Sequence, residues 1–178
     1  LFSQNYACED CGISIEELTP RMFSFNNPYG ACPTCTGLGS QLKVDPDLII
    51  PNKDLSILEG AITASGWNNI KGDSISRMYF EALAKKYGFK LTTPVKDLSP
   101  EVLDVILYGT KGEKLKLTYD RGSGQGTLYQ VFEGICNNLE RRYRETQSDA
   151  VKRELEECMS ECPCPDCKGR RLRRESLA

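Results

Sequence analysis

The chain has 178 residues, of which 39% are hydrophobic and 27% are charged, and its net charge at pH 7 is −2. This length fits one domain or two small ones, and the near-neutral charge excludes a protein whose whole surface is basic, so any nucleic-acid contact must depend on local patches. No apolar run approaches the ~20 residues of a membrane-spanning helix, and the absence of histidine excludes Ser-His and Cys-His catalytic pairs.

The N-terminal part of the chain, up to about residue 41, is irregular and rich in turns, and it contains two Cys-x-x-Cys pairs, at residues 8–11 and 32–35. The segment 23–30 is rich in aromatic residues and asparagine. We expect its rings to form a small core against the second of these pairs. A short extended piece should follow and end within residues 45–51.

Two helices are predicted in the first part of the segment 42–155, which should carry most of the regular structure. The first covers residues 74–87, with Gly88 as its stop signal. The second runs from Ser99 to Gly109, because serine is a good N-cap and a proline follows at the first helical position.

A strand and a glycine-rich segment come next. Residues 114–119 alternate between polar and apolar side chains, the pattern of a half-buried strand. A glycine-rich loop before a helix can cradle a phosphate, but residues 121–126 lack the Gly-Lys-Ser/Thr ending of a nucleotide-binding P-loop. We favour a mobile loop here over a contact with a DNA phosphate.

The longest helix is predicted to open at the capping box Thr127-x-x-Gln130. Its apolar face would consist of Leu128, Val131, Phe132, Ile135, Leu139 and Tyr143. A second helix is predicted between Ser148 and Pro163, so that the two helices form a hairpin. The apolar stripe of the second helix would be Val151, Leu155 and Met159.

A third Cys-x-x-Cys pair, Cys164/Cys167, has flanking residues similar to those of Cys32/Cys35. One stretch reads Cys-Pro-Thr-Cys-Thr-Gly-Leu-Gly and the other Cys-Pro-Asp-Cys-Lys-Gly-Arg. Structural zinc takes four soft ligands, and a two-residue gap lets one turn present two thiolates to the same ion. Glycine just after each pair allows a positive φ, so that backbone amides can reach the sulfurs. We therefore expect these four cysteines to bind one Zn²⁺, although most of the chain lies between the two pairs.

Other pairings remain open. Cys8/Cys11 and Cys32/Cys35 are separated only by the segment 12–31, an ordinary zinc-finger spacing, and would then share the ion. A disulfide framework is less consistent with nine cysteines and no export signal, and three copies with glycine-rich flanks argue against a thioredoxin-like redox motif. Under the favoured pairing, Cys8 and Cys11 would either lack metal-binding partners inside this chain or form half of a different site whose other ligands come from outside it.

The three remaining cysteines differ in their expected roles. Cys136 and Cys158 lie in apolar helical patterns and are expected to pack in the core as small hydrophobic residues. Cys162 lies close to Cys164 in the sequence and is an alternative ligand.

Positive charge gathers at two places near the C-terminal end. The predicted long helix carries three arginines, and a dense run of cations follows the last cysteine pair. Such a cluster creates a local field that can hold phosphates, although acidic residues upstream balance it if it is only a solvated face. The candidate DNA-binding residues are Arg141, Arg142, Arg144, Lys168, Arg170, Arg171, Arg173 and Arg174. No catalytic constellation is found, so the chain is interpreted as a binding or structural module.

Seven stretches of the chain resemble the UvrA family. They are residues 7–12, 20–39, 44–51, 58–62, 132–135, 138–146 and 163–172, which together span essentially the whole sequence. The resemblance implies a fragment of the damage-recognising ATPase of bacterial nucleotide excision repair, a cytoplasmic subunit of an excision nuclease. It also implies a metal-binding pair upstream of this segment as the partner of Cys8/Cys11, although finger assignments from sequence instead span Cys8 to Cys35.

The fold class that follows is α+β, a four-cysteine zinc module with a largely helical inserted domain that carries a small β element. The zinc module would comprise residues 1–41 and 156–178, and the inserted domain residues 42–155. The family implies contact with damaged double-stranded DNA. For the full-length protein it also implies binding of ATP and Mg²⁺, and interaction with UvrB and a second UvrA copy. No membrane contact is expected of this segment, and no enzyme activity is expected because it lacks the Walker and signature motifs. The alternatives are a purely structural spacer of the ATPase and a DnaJ-like chaperone zinc domain, which has Cys-x-x-Cys-x-Gly-x-Gly repeats.

Overall fold

The computed structural model describes residues 19–72, 74–121 and 124–177, and in it the chain divides into two compact units. Unit 1 contains residues 19–42 and 161–177, and unit 2 is Lys43–Ser160. The fold is α+β, as predicted. The helices and strands in chain order are β1 (Ser40–Val44), α1 (Pro46–Ile49), α2 (Ile75–Tyr87), α3 (Pro100–Tyr108), β2 (Lys114–Arg121), β3 (Gly124–Val131), α4 (Ile135–Glu145), α5 (Asp149–Glu156) and β4 (Met159–Pro163).

The first two predicted helices are confirmed, because their ends are set by local capping. The Ser74 side chain accepts a hydrogen bond from the N–H of Arg77, and Gly88 closes α2 in the left-handed conformation. The Ser99 hydroxyl accepts a hydrogen bond from the N–H of Val102, and Pro100 occupies the first turn of α3. Serine caps of this kind satisfy backbone donors that the helix itself leaves unpaired.

The predicted strand is also confirmed, as the first arm of an antiparallel hairpin. β2 pairs with β3 in a register that places Lys116 opposite Tyr129 and Leu117 opposite Leu128. Leu115 and Leu117 are buried, whereas Lys114, Lys116 and Thr118 are exposed, as the alternating sequence indicates.

The capping box at Thr127 and Gln130 is a wrong prediction, since both residues lie in β3 and the helix begins only at Ile135. Pairing with β2 competes with helix formation in this segment, and Gly134, at φ 89°, separates β3 from α4. As a result Leu128 and Val131 are exposed on β3 rather than buried on a helix. Phe132, Ile135 and Leu139 are buried as expected, and Tyr143 packs against the core.

The mobile loop predicted over residues 121–126 is mostly strand. Arg121 ends β2 and pairs with Gly124 at the start of β3, so only residues 122 and 123 separate the two strands, and these lie outside the described residues. Two-residue connections that contain glycine are common in β-hairpins, which explains why a glycine-rich sequence need not form a long loop.

The last predicted helix is real but shorter than expected. Ser148 caps α5 by accepting a hydrogen bond from the N–H of Val151, and the helix ends at Glu156 rather than at Pro163. Residues Met159–Pro163 instead form β4, which pairs with β1. Pairing with β1, which is far away in the sequence, therefore overrides the helical periodicity of this segment. Met159 is buried as predicted, but it lies in a strand rather than in a helix.

The core of unit 2 gathers around an aromatic cluster. The single tryptophan, Trp67, lies edge-on to Phe132 and Phe80, with ring centroids 5.4 and 5.9 Å away. Its indole N–H donates to Oδ1 of Asn138 at 3.2 Å, which ties the cluster to α4. The fully buried side chains around it are Ile49, Ile57, Ile62, Phe80, Leu83, Ile106, Leu115, Leu117, Phe132, Ile135, Leu139 and Leu155.

An ion-pair network holds α4 against the turn that precedes it. The Arg141 guanidinium donates from Nη2 and Nε to the two carboxylate oxygens of Glu133, at 2.8 and 3.1 Å, and from Nη1 to Glu145 at 2.8 Å. The Glu133 carboxylate also accepts from Nδ2 of Asn138 at 2.6 Å. The hydrogen bond from Arg141 is the main cause of a lowered pKa of Glu133. Within the described part of the chain, no helix is both long and apolar enough to cross a bilayer.

Glu133→Gln should destabilise unit 2 by about 1 kcal/mol or less, because the pair is partly solvated. The folded pKa of Glu133 lies below its unfolded value, so its stabilising effect is complete above the unfolded pKa of about 4.3 and disappears as the pH falls through the folded pKa. Urea unfolding followed by Trp67 fluorescence should show a difference from the unsubstituted chain at pH 7 that shrinks below about pH 4.

Glu140→Gln is the matched control, since Glu140 lies on the same helix but forms no ion pair in the described residues. An equal, pH-independent loss of stability in both variants would contradict a specific role for the Glu133 carboxylate.

Candidate metal centre

Four cysteine sulfurs converge in unit 1. The Sγ atoms of Cys32, Cys35, Cys164 and Cys167 all lie within 4.8 Å of one another. The Cys32–Cys164 and Cys35–Cys167 sulfur distances are 3.9 and 3.6 Å. All four side chains are buried, with at most 4% of their surface exposed. This cluster suggests a metal site, because soft thiolate ligands at such distances from one another suit a single ion.

Two turns present these sulfurs, and both begin with the motif Cys-Pro-x-Cys. We call them knuckle A (residues 32–39) and knuckle B (residues 164–171). The left-handed residues of knuckle A are Thr36, Gly37 and Gly39, at φ 50°, 84° and 85°, and those at the equivalent places of knuckle B are Lys168, Gly169 and Arg171, at φ 50°, 86° and 69°. The backbones therefore repeat, in agreement with the repeated sequence.

Reciprocal backbone hydrogen bonds join the knuckles. The N–H of Cys32 donates to the carbonyl of Arg171 at 2.8 Å, and the N–H of Cys164 donates to the carbonyl of Gly39 at 2.9 Å. Gly39 and Arg171 occupy the equivalent last positions of the two knuckles. The arrangement is therefore a local pseudo-two-fold in which each knuckle begins against the end of the other.

Backbone amides also reach the sulfurs, as the glycine-rich flanks predict. The N–H of Gly39 donates to Sγ of Cys35 at 3.1 Å. In knuckle B, burial raises the pKa of the Cys167 thiol, but hydrogen bonds from the backbone of Arg171 and from Cys35 outweigh it and lower that pKa to about 7. Donors of this kind favour the thiolate, which is the form that binds metals. The pKa of the neighbouring Cys164, which the backbone of Cys167 tends to lower, is raised to about 11 by burial and by the Cys167 and Cys35 thiols.

Gly37 differs from its counterpart Gly169 in the space around it. A Cβ atom added at Gly37 would overlap the carbonyl group of Phe25, whereas one added at Gly169 would meet nothing within 4 Å. Knuckle A is therefore packed directly against the backbone of the preceding turn, and glycine is required there for space as well as for its φ.

The aromatic core predicted for segment 23–30 is wrong. Phe23, Phe25 and Tyr29 are 54%, 42% and 65% exposed. The carbonyl of Phe25 packs closely against Gly37 of knuckle A. The Phe25 ring instead lies 5.2 Å from the guanidinium carbon of Arg171, in a cation–π contact.

One contact between the knuckles was not predicted from the sequence. The Thr34 hydroxyl donates a hydrogen bond to Oδ2 of Asp166, the residue at the equivalent place in knuckle B. The only sequence signal for this contact is that the variable position of the Cys-Pro-x-Cys motif is a hydrogen-bond donor, Thr34, in one knuckle and an acceptor, Asp166, in the other.

The other cysteines stand apart from this cluster. Cys136 and Cys158 are buried in the core of unit 2, as predicted, and burial raises the pKa of Cys136 to about 11. Cys162 lies in β4 and is not among the four clustered residues. Cys8 and Cys11 lie outside the described residues.

The predicted DNA-binding cations have two different environments. On α4, Arg141 is paired with Glu133 and Glu145, Arg142 donates to the carbonyl of Ser65 at 2.8 Å, and Arg144 is exposed. All the candidate cations of knuckle B and the segment after it are exposed, and none has an ion-pair partner among the residues that the structure describes. They are Lys168, Arg170, Arg171, Arg173 and Arg174.

Two of these arginines also contact the turn before knuckle A. Nη2 and Nε of Arg173 donate to the carbonyls of Pro28 and Ala31 at 2.8 and 3.3 Å, and Arg171 covers the Phe25 ring. Their guanidinium groups are therefore partly engaged in holding unit 1 together, whereas Lys168 and Arg174 have no side-chain partner in the described structure.

Comparison with known proteins points to one family. The family model described as "UvrA DNA-binding domain" matches residues 45–157. UvrABC system protein A of Clostridium perfringens is 52% identical over 178 residues, covering 100% of this chain and 19% of that protein, and that of Bacillus subtilis is 46% identical over 179 residues, covering 100% and 18%. The crystal structure of UvrA2 from Deinococcus radiodurans matches with a TM-score of 0.63 and 26% identity, over 86% of this chain and 19% of that one.

Gly37→Ala should weaken metal retention much more than Gly169→Ala. Both substitutions place alanine at a positive φ, which costs about 1–2 kcal/mol, but only the first also forces a clash with the Phe25 carbonyl. A chelator whose absorbance changes on binding the released metal measures the difference in release rate between the two variants. Equal release rates for the two variants would contradict the close packing of knuckle A.

Proposed function

We propose, since this chain belongs to the UvrA family, that it is a zinc-binding, DNA-interacting part of the damage-recognition ATPase of nucleotide excision repair. The observation that carries the proposal is the match of the UvrA DNA-binding domain model to residues 45–157, nearly all of unit 2. The metal cluster and the exposed cations of unit 1 support it.

The chain spans about a fifth of the length of the curated relatives that it matches. For the longer protein we propose the activities that the family implies, namely binding of damaged double-stranded DNA, ATP hydrolysis with Mg²⁺, loading of UvrB and action together with a second UvrA copy. For this segment we propose a binding role and no catalytic step, because its four clustered thiols are buried and suited to a structural ion. Free cysteines are typical of a reducing compartment, which supports the cytoplasm.

Zinc is the ion that we propose for the four cysteines. A tetrahedral site with Zn–S bonds of about 2.3 Å has sulfur–sulfur edges of about 3.8 Å. The distances of 3.6 and 3.9 Å across the knuckles agree with this edge length. Four thiolates without oxygen or nitrogen ligands favour a soft ion over Mg²⁺ or Ca²⁺.

The proposed role of the ion is to close the base of an inserted domain. Residues 1–41 and 156–178 would form the two parts of the zinc module, and residues 42–155 would be the insertion between them. Structural zinc contributes on the order of 10 kcal/mol to the folding of small modules. The Thr34–Asp166 contact, the reciprocal backbone hydrogen bonds and the pairing of β1 with β4 also hold these two segments together, and the ion would add to them.

The exposed cations after knuckle B are the part of unit 1 that we propose to contact DNA. A dense run of positive charges, without carboxylate partners in the described structure, can neutralise several phosphates. The contacts of Arg171 and Arg173 with the preceding turn fix the direction of the segment, which leaves Lys168, Arg170 and Arg174 as the residues to test.

Cys164→Ser should lose the bound zinc, whereas Cys162→Ser should keep it. Both substitutions replace a thiol by a hydroxyl, and the two residues lie close together in the sequence, but only Cys164 belongs to the sulfur cluster. Zinc counting by native mass spectrometry provides the measurement. Retention of zinc by Cys164→Ser, with its loss in Cys8→Ser, would contradict the proposed ligand set and favour the shorter finger.

Binding of the chain to duplex DNA should weaken with salt, and the combined variant Lys168→Gln/Arg170→Gln/Arg174→Gln should bind on the order of tenfold more weakly. The slope of log K against log salt should fall by about 0.9 for each lost phosphate contact. Fluorescence anisotropy at several salt concentrations measures both quantities.

The charge-matched control is Lys53→Gln/Lys96→Gln/Lys111→Gln, because each of these lysines is already paired with an aspartate. If the unsubstituted chain fails to bind DNA at low salt, the proposed DNA role is wrong and a purely structural spacer is favoured. If the control weakens binding as much as the test variant, the effect is one of net charge alone.

A further inference from the structure

The β2–β3 hairpin has one face whose side chains are exposed. The register places Lys114 opposite Val131, Lys116 opposite Tyr129 and Thr118 opposite Thr127, and all six residues are exposed. We call these six residues the outer hairpin face. Strand β2 contributes its cations, and strand β3 contributes its aromatic and apolar side chains; toward the tip the register continues with Asp120 opposite Gln125.

The opposite side of the hairpin is fixed to the core, so the outer face is held rigidly. Leu115 and Leu117 are 1% and 2% exposed against unit 2. The Tyr79 hydroxyl of α2 donates to Oε1 of Gln130 at 2.6 Å, which attaches β3 as well. A rigid scaffold of this kind loses little conformational entropy when its exposed side chains bind a partner.

A groove between α2 and β2 continues the positive face. It is lined by Lys85 of α2 together with Lys114, Lys116 and Thr118 of β2. Two acidic residues beside the groove are already engaged, since Glu81 pairs with Arg77 at 2.7 Å and Glu113 pairs with Lys86. In the described structure Lys85, Lys114 and Lys116 have no carboxylate partner, and their charge remains available.

The α4 arginines, by contrast, are engaged within unit 2. Arg141 is neutralised by Glu133 and Glu145, and Arg142 caps the carbonyl of Ser65. The helix that the sequence singles out for DNA contact thus has two of its three arginines in structural roles, whereas Lys114 and Lys116 have no ion-pair partner among the described residues.

We propose that the outer hairpin face and its groove form a DNA-backbone contact of unit 2, an inference that rests on the DNA-binding function proposed above. The lysines Lys85, Lys114 and Lys116 bind phosphates, and the Tyr129 ring, 60% exposed beside Lys116, packs against a deoxyribose or an exposed base. A two-stranded ribbon fits the major groove of B-DNA, which is about 12 Å wide.

The same lysines could have a purely structural role, which requires no ligand. Lysines on an edge strand discourage pairing with other chains, and in that role they need no ligand. That role explains neither the convergence of Lys85, from a different element, on the same groove nor the exposed Tyr129 across from Lys116. Cations beside an exposed aromatic ring are typical of surfaces that bind nucleic acids.

The ionic part of the proposal is tested with Lys85→Gln/Lys114→Gln/Lys116→Gln and duplex DNA. The three side chains point to solvent, so the fold should persist, which Trp67 fluorescence and the melting temperature verify. The salt slope of binding should fall by about two to three units, whereas Lys53→Gln/Lys96→Gln/Lys111→Gln, with the same change of charge, should leave it unchanged. An unchanged slope in the hairpin variant overturns the proposal.

The aromatic part is tested separately with Tyr129→Ala and Tyr129→Phe. Loss of a stacked ring should weaken binding by roughly fivefold or more, in line with about 1–3 kcal/mol for a base–aromatic contact, and it should leave the salt slope unchanged because no charge is removed. Tyr129→Phe keeps the ring and should restore binding. A Tyr129→Ala variant that binds like the unsubstituted chain removes the tyrosine from the contact.

The two proposals fail in distinguishable ways. If the unsubstituted chain binds duplex DNA and only the variants of Lys168, Arg170 and Arg174 lose affinity, the DNA function stands and the hairpin inference is wrong. If the unsubstituted chain binds neither duplex nor single-stranded DNA at low salt, the proposed function itself is wrong. A preference of the unsubstituted chain for single strands that disappears in Tyr129→Ala assigns the ring to an exposed base, and an equal loss on duplex DNA assigns it to the sugar.

Discussion

Four buried sulfurs that must share one small volume are the constraint on which the organisation of this chain depends. Four thiolates at separations of 3.6 and 3.9 Å would repel one another, and without a cation their burial would be strongly unfavourable. A single ion relieves that repulsion only when both knuckles are present, so residues 32–39 and 164–171 are required together. The long stretch of chain between Cys35 and Cys164 forms a separate compact unit, and the ion proposed for the four sulfurs would fix its two ends.

The charges near this constraint show how tertiary context changes the meaning of a residue. Arg141 and Arg142 look like DNA-binding groups in the sequence. In the structure Arg141 forms ion pairs with Glu133 and Glu145, and Arg142 donates a hydrogen bond to the carbonyl of Ser65. Lys114 and Lys116, which look like the polar half of an alternating strand, remain without carboxylate partners in the described structure. The electrostatic surface of a near-neutral protein is therefore decided by which charges the fold neutralises.

Local signals predicted the elements whose ends depend on local hydrogen bonds. The caps at Ser74, Ser99 and Ser148 lie where the sequence places them, since each cap involves a backbone N–H within the next turn of chain. The predictions failed for β3 and β4, whose partners are other strands. Thr127-x-x-Gln130 and the Val151–Met159 stripe satisfy helical patterns, but pairing with β2 and β1 stabilises the extended form, and periodicity within one segment cannot reveal a distant partner.

The sequence by itself determined the ligand type, the turn geometry and the family. Because histidine is absent, cysteine is the source of soft metal donors, the two-residue gap sets the turn, and the glycine after each pair permits its positive φ. Only the tertiary structure brought Cys32 and Cys35 together with Cys164 and Cys167, and only it separated the engaged cations from the available ones. The reason is physical: spacing controls what one turn can present, whereas the meeting of two turns depends on the packing of the whole chain between them.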